Sequence, residues 1–195
     1  MWRLGFISVI LIIAISDMLN PIYARKLVHL GCGLTLAHIN LPNTDLRNAI
    51  VLVAFLSIVV FKTYPLRFGV KDDIGIIWYN LVVLLFVALG IPLRLLFPVF
   101  VVDPVACLVG LSLRSKRWYR KKTVCGSFAA LIASYCSLYY VKNHDHRLLL
   151  TVILPITEGV MDKHDNIGIS FVVMAYYWMA LQKNWKMDFY ISFLD

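Results

Sequence analysis

Apolar runs alternate with short polar punctuation along almost the whole chain. They predict helical segments at Trp2–Ser16, Lys26–Leu41, Leu46–Phe61, Ile74–Gly90, Pro92–Leu113, Thr123–Val141, Leu148–Val160 and Ile167–Leu181. Asn20-Pro21, Leu41-Pro42-Asn43 and Gly90-Ile91-Pro92 read as breaks, because proline removes a backbone donor and disfavours helix in the residue before it. A bilayer core about 30 Å thick takes roughly 20 apolar residues per helical crossing. Several segments fall short of that, so six to eight crossings are expected, in one all-α transmembrane bundle that occupies residues 1–195 as a single domain.

Composition sharpens this picture. The chain is 61% hydrophobic and 15% charged, with a mean hydropathy of +0.77, whereas a soluble domain is about half apolar and a quarter charged. A polytopic membrane protein with almost no extramembrane domain follows. The first segment also has the outline of a signal peptide, with Arg3, an apolar core and Ala14-Ile15-Ser16, but the remaining chain inserts by its own hydrophobicity. Cys32, Cys107, Cys125 and Cys136 sit in apolar segments without CxxC spacing. They read as small core residues, with neither a disulfide framework nor a zinc site.

Charge placement sets the topology. With eight crossings, one face collects Arg25-Lys26, then Lys62, Arg67 and Lys71, then Arg114, Lys116, Arg117, Arg120, Lys121 and Lys122, while the other holds mainly Arg47, Lys142, Arg147, Lys183 and Lys186. The positive-inside rule makes the first face cytoplasmic, and the connection from Glu158 to Asn166 falls on it too. The net charge of +8 also serves orientation and anionic-lipid contact, at roughly 1 kcal/mol per cation near the surface. No separate basic domain with exposed aromatics is present to track a nucleic acid.

Five polar groups interrupt the apolar pattern. Asp103, in Val102-Asp103-Pro104-Val105-Ala106, is either an intramembrane functional carboxylate with a cation or donor as partner, or a cap where the helix restarts at Pro104. Both hold if a broken helix opens beside a carboxylate to make a metal pocket. Lys122-Thr123-x-x-Gly126-Ser127 opens the next segment. A helix start, a lysine and a glycine suit phosphate, although the Walker spacing is absent, and a basic flank with a Thr123 cap and a Gly-Ser packing face reads equally from these residues. Glu158 to Asn166 offers hard oxygen ligands of the kind that suit Mg²⁺, with Asp162 and Lys163 as a solvated turn. Arg25, Lys26 and His29 stand one turn apart and read either as phosphate contacts or as a basic flank with a buried histidine. His144-Asp145-His146 falls on the opposite face and reads as a solvated loop.

The ordered combination resembles the CTP-dependent lipid-alcohol kinases, the dolichol, phytol and polyprenol kinases and the yeast-type diacylglycerol kinase, which are related to CDP-diacylglycerol synthases. It runs from Arg25-Lys26-Leu27-Val28-His29, through a segment like Asp72-Asp73-Ile74-Gly75, then Asp103-Pro104-Val105-Ala106 and Lys122-Thr123-x-x-Gly126-Ser127, to Glu158 and Asp165-Asn166, about Arg25 to Ile169. Where that family has glycine before the aspartate and arginine after the next glycine, this chain has Val102 and Leu111, and a further glycine near Ser115 is missing. The resemblance implies Mg²⁺-dependent phosphoryl transfer from CTP to a membrane lipid alcohol (dolichol, another prenol or diacylglycerol). It implies Asp103 and Asp165 as metal ligands, Lys122, Thr123, Gly126 and Ser127 at the phosphates, and Asn166 positioning metal or phosphate. Glu158 would be base or support, and Arg25, Lys26 and His29 would contact triphosphate or headgroup. The setting would be a multi-pass membrane protein, of the endoplasmic reticulum in a eukaryote, with its site facing the cytoplasm, acting alone or as a homodimer. Cytidylyl transfer to a phosphatidate-like lipid, or a non-catalytic transporter or scaffold, are the alternatives.

Overall fold

The computed structural model describes residues 9, 11–16, 18–38 and 44–187, and it is mostly helical. Seven α-helices organise the described part: α1 Pro21–Ala37, α2 Thr44–Thr63, α3 Ile74–Ala88, α4 Phe97–Ser112, α5 Val124–Ser137, α6 His144–Met161 and α7 Asp165–Gln182, with 3-10 turns at Leu93–Leu96 and Asp162–His164. Most of the expected first segment and the Leu41-Pro42-Asn43 break lie outside the described residues.

Among the described residues, two helical stretches are long and apolar enough to cross a membrane, Thr44–Thr63 and Leu93–Ser112, the second joining the 3-10 turn to α4. On α2, Leu52, Phe55 and Leu56 are exposed, the outward-facing apolar surface of a helix whose main partner among the described residues is α3. The inner helices α4, α5, α6 and α7 pack in sequence, with α1 against α4 and α3 against α7. Their core runs through Phe86, Phe100, Leu154 and Ile169. Two close approaches set the spacing around α4. A Cβ on Gly33 would strike the Phe100 ring, and one on Gly126 would stand 2.8 Å from the Ala106 carbonyl oxygen and 3.3 Å from Gly110 Cα. Glycine at these positions lets α1 and α5 seat directly on α4.

Several expected boundaries move, each for a local reason. Asn20-Pro21 is the start of α1: the Asn20 side chain accepts from the Ile22 amide at 3.1 Å with Pro21 in the first turn, where its missing N–H costs nothing. Asp103 is no cap, because α4 continues through Pro104 without a break. The His144-Asp145-His146 loop is the first turn of α6, capped by Asn143, which accepts from Asp145 N at 3.0 Å and His146 N at 3.2 Å. The basic run between α4 and α5 holds a two-stranded hairpin, β1 Arg117–Tyr119 and β2 Lys122–Thr123, turned by Arg120 at φ 45°. Cys136 is exposed, so it is not a core residue; the other three cysteines are half-buried, and all four are free.

Candidate functional site

Chain direction assembles the site. Helices α1, α3, α5 and α7 begin at one end of the bundle and α6 ends there, as the contacts among their terminal residues require. Arg25 Nη1, in α1, lies 2.8 Å from Asp73 Oδ2. Asp73 also caps α3, its Oδ1 accepting from Gly75 N at 3.1 Å and Ile76 N at 3.3 Å. The Gly75 carbonyl accepts from Asn166 Nδ2 at 3.0 Å, in the first turn of α7. One chain of polar contacts therefore fixes three helix starts relative to each other.

Three carboxylates meet beside this chain. Asp103 of α4, Glu158 near the end of α6 and Asp165 at the start of α7 each bring an oxygen within 4.8 Å of the others. Asp103 and Glu158 are buried and Asp165 is half-buried. Each acid among buried ones has its own cation: Lys26 pairs with Asp103 and Lys122 with Glu158. Asp165 has no ion pair among the described residues; its Oδ1 accepts from the Asn166 amide at 2.7 Å. Burial, and after it the neighbouring Asp103 charge, pushes the Asp165 carboxyl up to about 7. The buried Asn166 Oδ1 has no hydrogen-bond partner among the described residues, an acceptor left over where a buried amide ordinarily finds a donor.

The remaining sequence candidates take defined places around this cluster. Thr123 caps α5, its hydroxyl accepting from Gly126 N at 3.1 Å. Gly126 faces α4, so in this arrangement it serves helix packing. The Ser127 hydroxyl accepts from Trp118 Nε1 at 2.9 Å. His29 turns toward α4, with Nε2 at 3.1 Å from the Val99 carbonyl and its ring edge-on to Tyr79 at 4.6 Å. Asp73 entered the sequence reading only as part of the family-like segment, without a role, and Trp118 was passed over. The signal for Asp73 lies in Asp-x-Gly at a helix start, a capping pattern, opposite a paired Arg25. Trp118 carries none.

Three carboxylate oxygens that lie within 4.8 Å of one another are a donor set that could hold a metal ion. With all five groups ionised, three acids against two lysines leave the cluster one negative charge, which favours a cation. This chain matches no family model, no curated protein and no solved structure.

Proposed function

We propose that the protein is a CTP-dependent kinase that phosphorylates a membrane lipid alcohol, with the acidic cluster as its centre. The observation that carries this reading is the convergence of Asp103, Glu158 and Asp165, from three different helices, with Lys26 and Lys122 between them. Asp103 and Asp165 would hold Mg²⁺, with Glu158 beside them; the bound ion would neutralise charge on the triphosphate. Lys122 is paired to Glu158, and with nucleotide bound it would exchange that carboxylate for a phosphate oxygen. Lys26 would do the same from Asp103, with Arg25 and Asn166 orienting the phosphates or the ion.

In the transfer, the lipid hydroxyl oxygen forms a bond to the γ-phosphorus, the bond from that phosphorus to the β-γ bridging oxygen breaks, and CDP leaves. The hydroxyl proton passes to a carboxylate of the cluster. Such a transfer depends on positioning and charge neutralisation more than on covalent chemistry. The membrane setting of the reading is a multi-pass bundle of six to eight crossings with the site on the cytoplasmic side, in the endoplasmic reticulum of a eukaryote. Its support is the apolar exposed surface and the basic residues gathered at the site's end.

A second reading has its own observation. The two lysine–carboxylate pairs satisfy most of the cluster internally, as in the charge-balanced interior of a transporter or scaffold. Purified protein with γ-labelled CTP, Mg²⁺ and a panel of prenols and diacylglycerol separates the cases. Label in lipid with release of CDP is expected. Pyrophosphate release would replace the kinase with cytidylyl transfer, and no turnover on any acceptor would replace it with the transporter or scaffold.

A further inference from the structure

The hairpin between α4 and α5 divides its cations in a way the proposed chemistry does not use. Lys122 turns inward to Glu158. Arg114, Lys116, Arg117, Arg120 and Lys121 are all exposed, and none joins an ion pair among the described residues. No acidic residue lies between Asp103 and Asp145, so the chain itself supplies no nearby counter-charge from this stretch. Trp118 is 60% exposed on β1, although its indole N–H is held by Ser127. At the two helix ends that the hairpin joins, Leu113 just past α4 and Phe128 in the second turn of α5 are 54% and 64% exposed. An apolar helix flank that gives way to cations and an outward tryptophan marks the level at which hydrocarbon meets headgroups.

We propose that this hairpin docks on anionic phospholipid headgroups of the bilayer that the bundle occupies. The proposal rests on the membrane setting of the reading above and is independent of its chemistry. Charge complementarity selects the occupant: five outward cations with no acidic partner face a surface whose lipids carry net negative charge. Trp118 supplies the amphipathic ring that such a boundary accepts. Because Trp118 is bonded to the first turn of α5, seating the hairpin on the membrane also fixes the height of that turn, and with it Lys122, relative to the lipid surface. A lipid alcohol presented at headgroup depth would then meet the site at a set level.

The test uses the full chain reconstituted in phosphatidylcholine vesicles, with or without phosphatidylglycerol, each containing a trace of lipid spin-labelled at the headgroup. Quenching of Trp118 is read as the difference between wild type and Trp118→Phe. Greater quenching in the anionic vesicles, reversed by high salt, is expected, since exposed charges are screened within about 10 Å at 0.1 M salt. Each cation near an anionic surface is worth about a fivefold preference. The triple variant Arg117→Gln/Arg120→Gln/Lys121→Gln, which leaves Lys122 in place, should therefore lose the phosphatidylglycerol preference by at least about tenfold. Equal quenching in both vesicle types overturns the proposal. So does loss of quenching on adding CTP or inorganic phosphate, which would make the hairpin a clamp for soluble phosphate. Neither readout involves turnover, so a failed kinase assay leaves this result intact.

Discussion

The pair between Lys122 and Glu158 has two roles that a single set of variants separates. The Glu158 side chain is 4% exposed and that of Lys122 is 24% exposed, so Lys122→Met leaves a carboxylate in the interior without its cation. Breaking a buried pair from one side costs about 3–5 kcal/mol, and the remaining access of this site to Lys26 and water places the expected loss near 3 kcal/mol. Glu158→Gln should cost less, about 1–2 kcal/mol, because the ammonium can turn to solvent and the amide keeps a hydrogen bond. The double variant removes both charges and should melt well above the sum of the two losses, with a coupling of about 1–3 kcal/mol. Denaturant or thermal unfolding of the four proteins without nucleotide reads it. Losses that add to within about 0.5 kcal/mol would show that the pair does not form. The same series then tests the cation site: Mg²⁺ should stabilise Lys122→Met more than wild type, since a ligand of the native state adds stability in proportion to its occupancy and Glu158 is vacated. Mg²⁺ that stabilises neither protein refutes the cluster as a cation site.

Other variants probe the surroundings. Gly126→Ala should destabilise the fold by about 1–3 kcal/mol, because the new methyl meets backbone on α4 that cannot move aside; an unchanged melting temperature would refute the close approach. Between about pH 4 and 7 the folded chain binds more protons at Asp165 than the unfolded chain does, so without metal its stability should fall as pH rises through that window. Asp165→Asn should flatten that slope, and divalent cation affinity should climb over the same range; a pH-independent affinity in calorimetry would refute the assignment. Cysteines placed at Lys116 and Lys163, in a Cys136→Ser background, should be labelled by an impermeant reagent from the same side of a vesicle, and labelling from opposite sides would refute a shared end.

Each polar residue that reached the centre was visible as an interruption of apolar sequence: Asp103 inside a long run, Glu158 and Asp165 around a short connection, Lys122 ahead of the next helix. What periodicity does not carry is distance between segments, so Asp103 gave no sign that its partner is Lys26, nor Glu158 that its partner is Lys122. The boundaries went astray where one residue type punctuates in opposite senses. Asn20-Pro21 opens a helix by capping, although proline within a run reads as a break. Pro104 sits inside α4 because the packing of α1 and α5 on either side maintains the helix past one lost hydrogen bond. The hairpin was hidden because its strands, Arg117–Tyr119 and Lys122–Thr123, are too short to show an alternating pattern. Several expected crossings are shorter than a bilayer core requires, α3 at 15 residues and α5 at 14.

The two kinds of packing around the cluster also divide its mobility. Asp103 rides on α4, whose backbone is locked to α5 by the Gly110–Gly126 approach. Glu158 and Asp165 ride on the connection between α6 and α7, where Gly159 has open space around it and Pro155 removes one helix hydrogen bond just upstream. One side of the centre is set by backbone packed on backbone, the other by polar side-chain contacts that a ligand can exchange. Loading the site should therefore slow amide exchange from about Glu158 to Asn166 while leaving the stretch from Asp103 to Ser127 unchanged, so that a ligand is felt as tightening of one side alone.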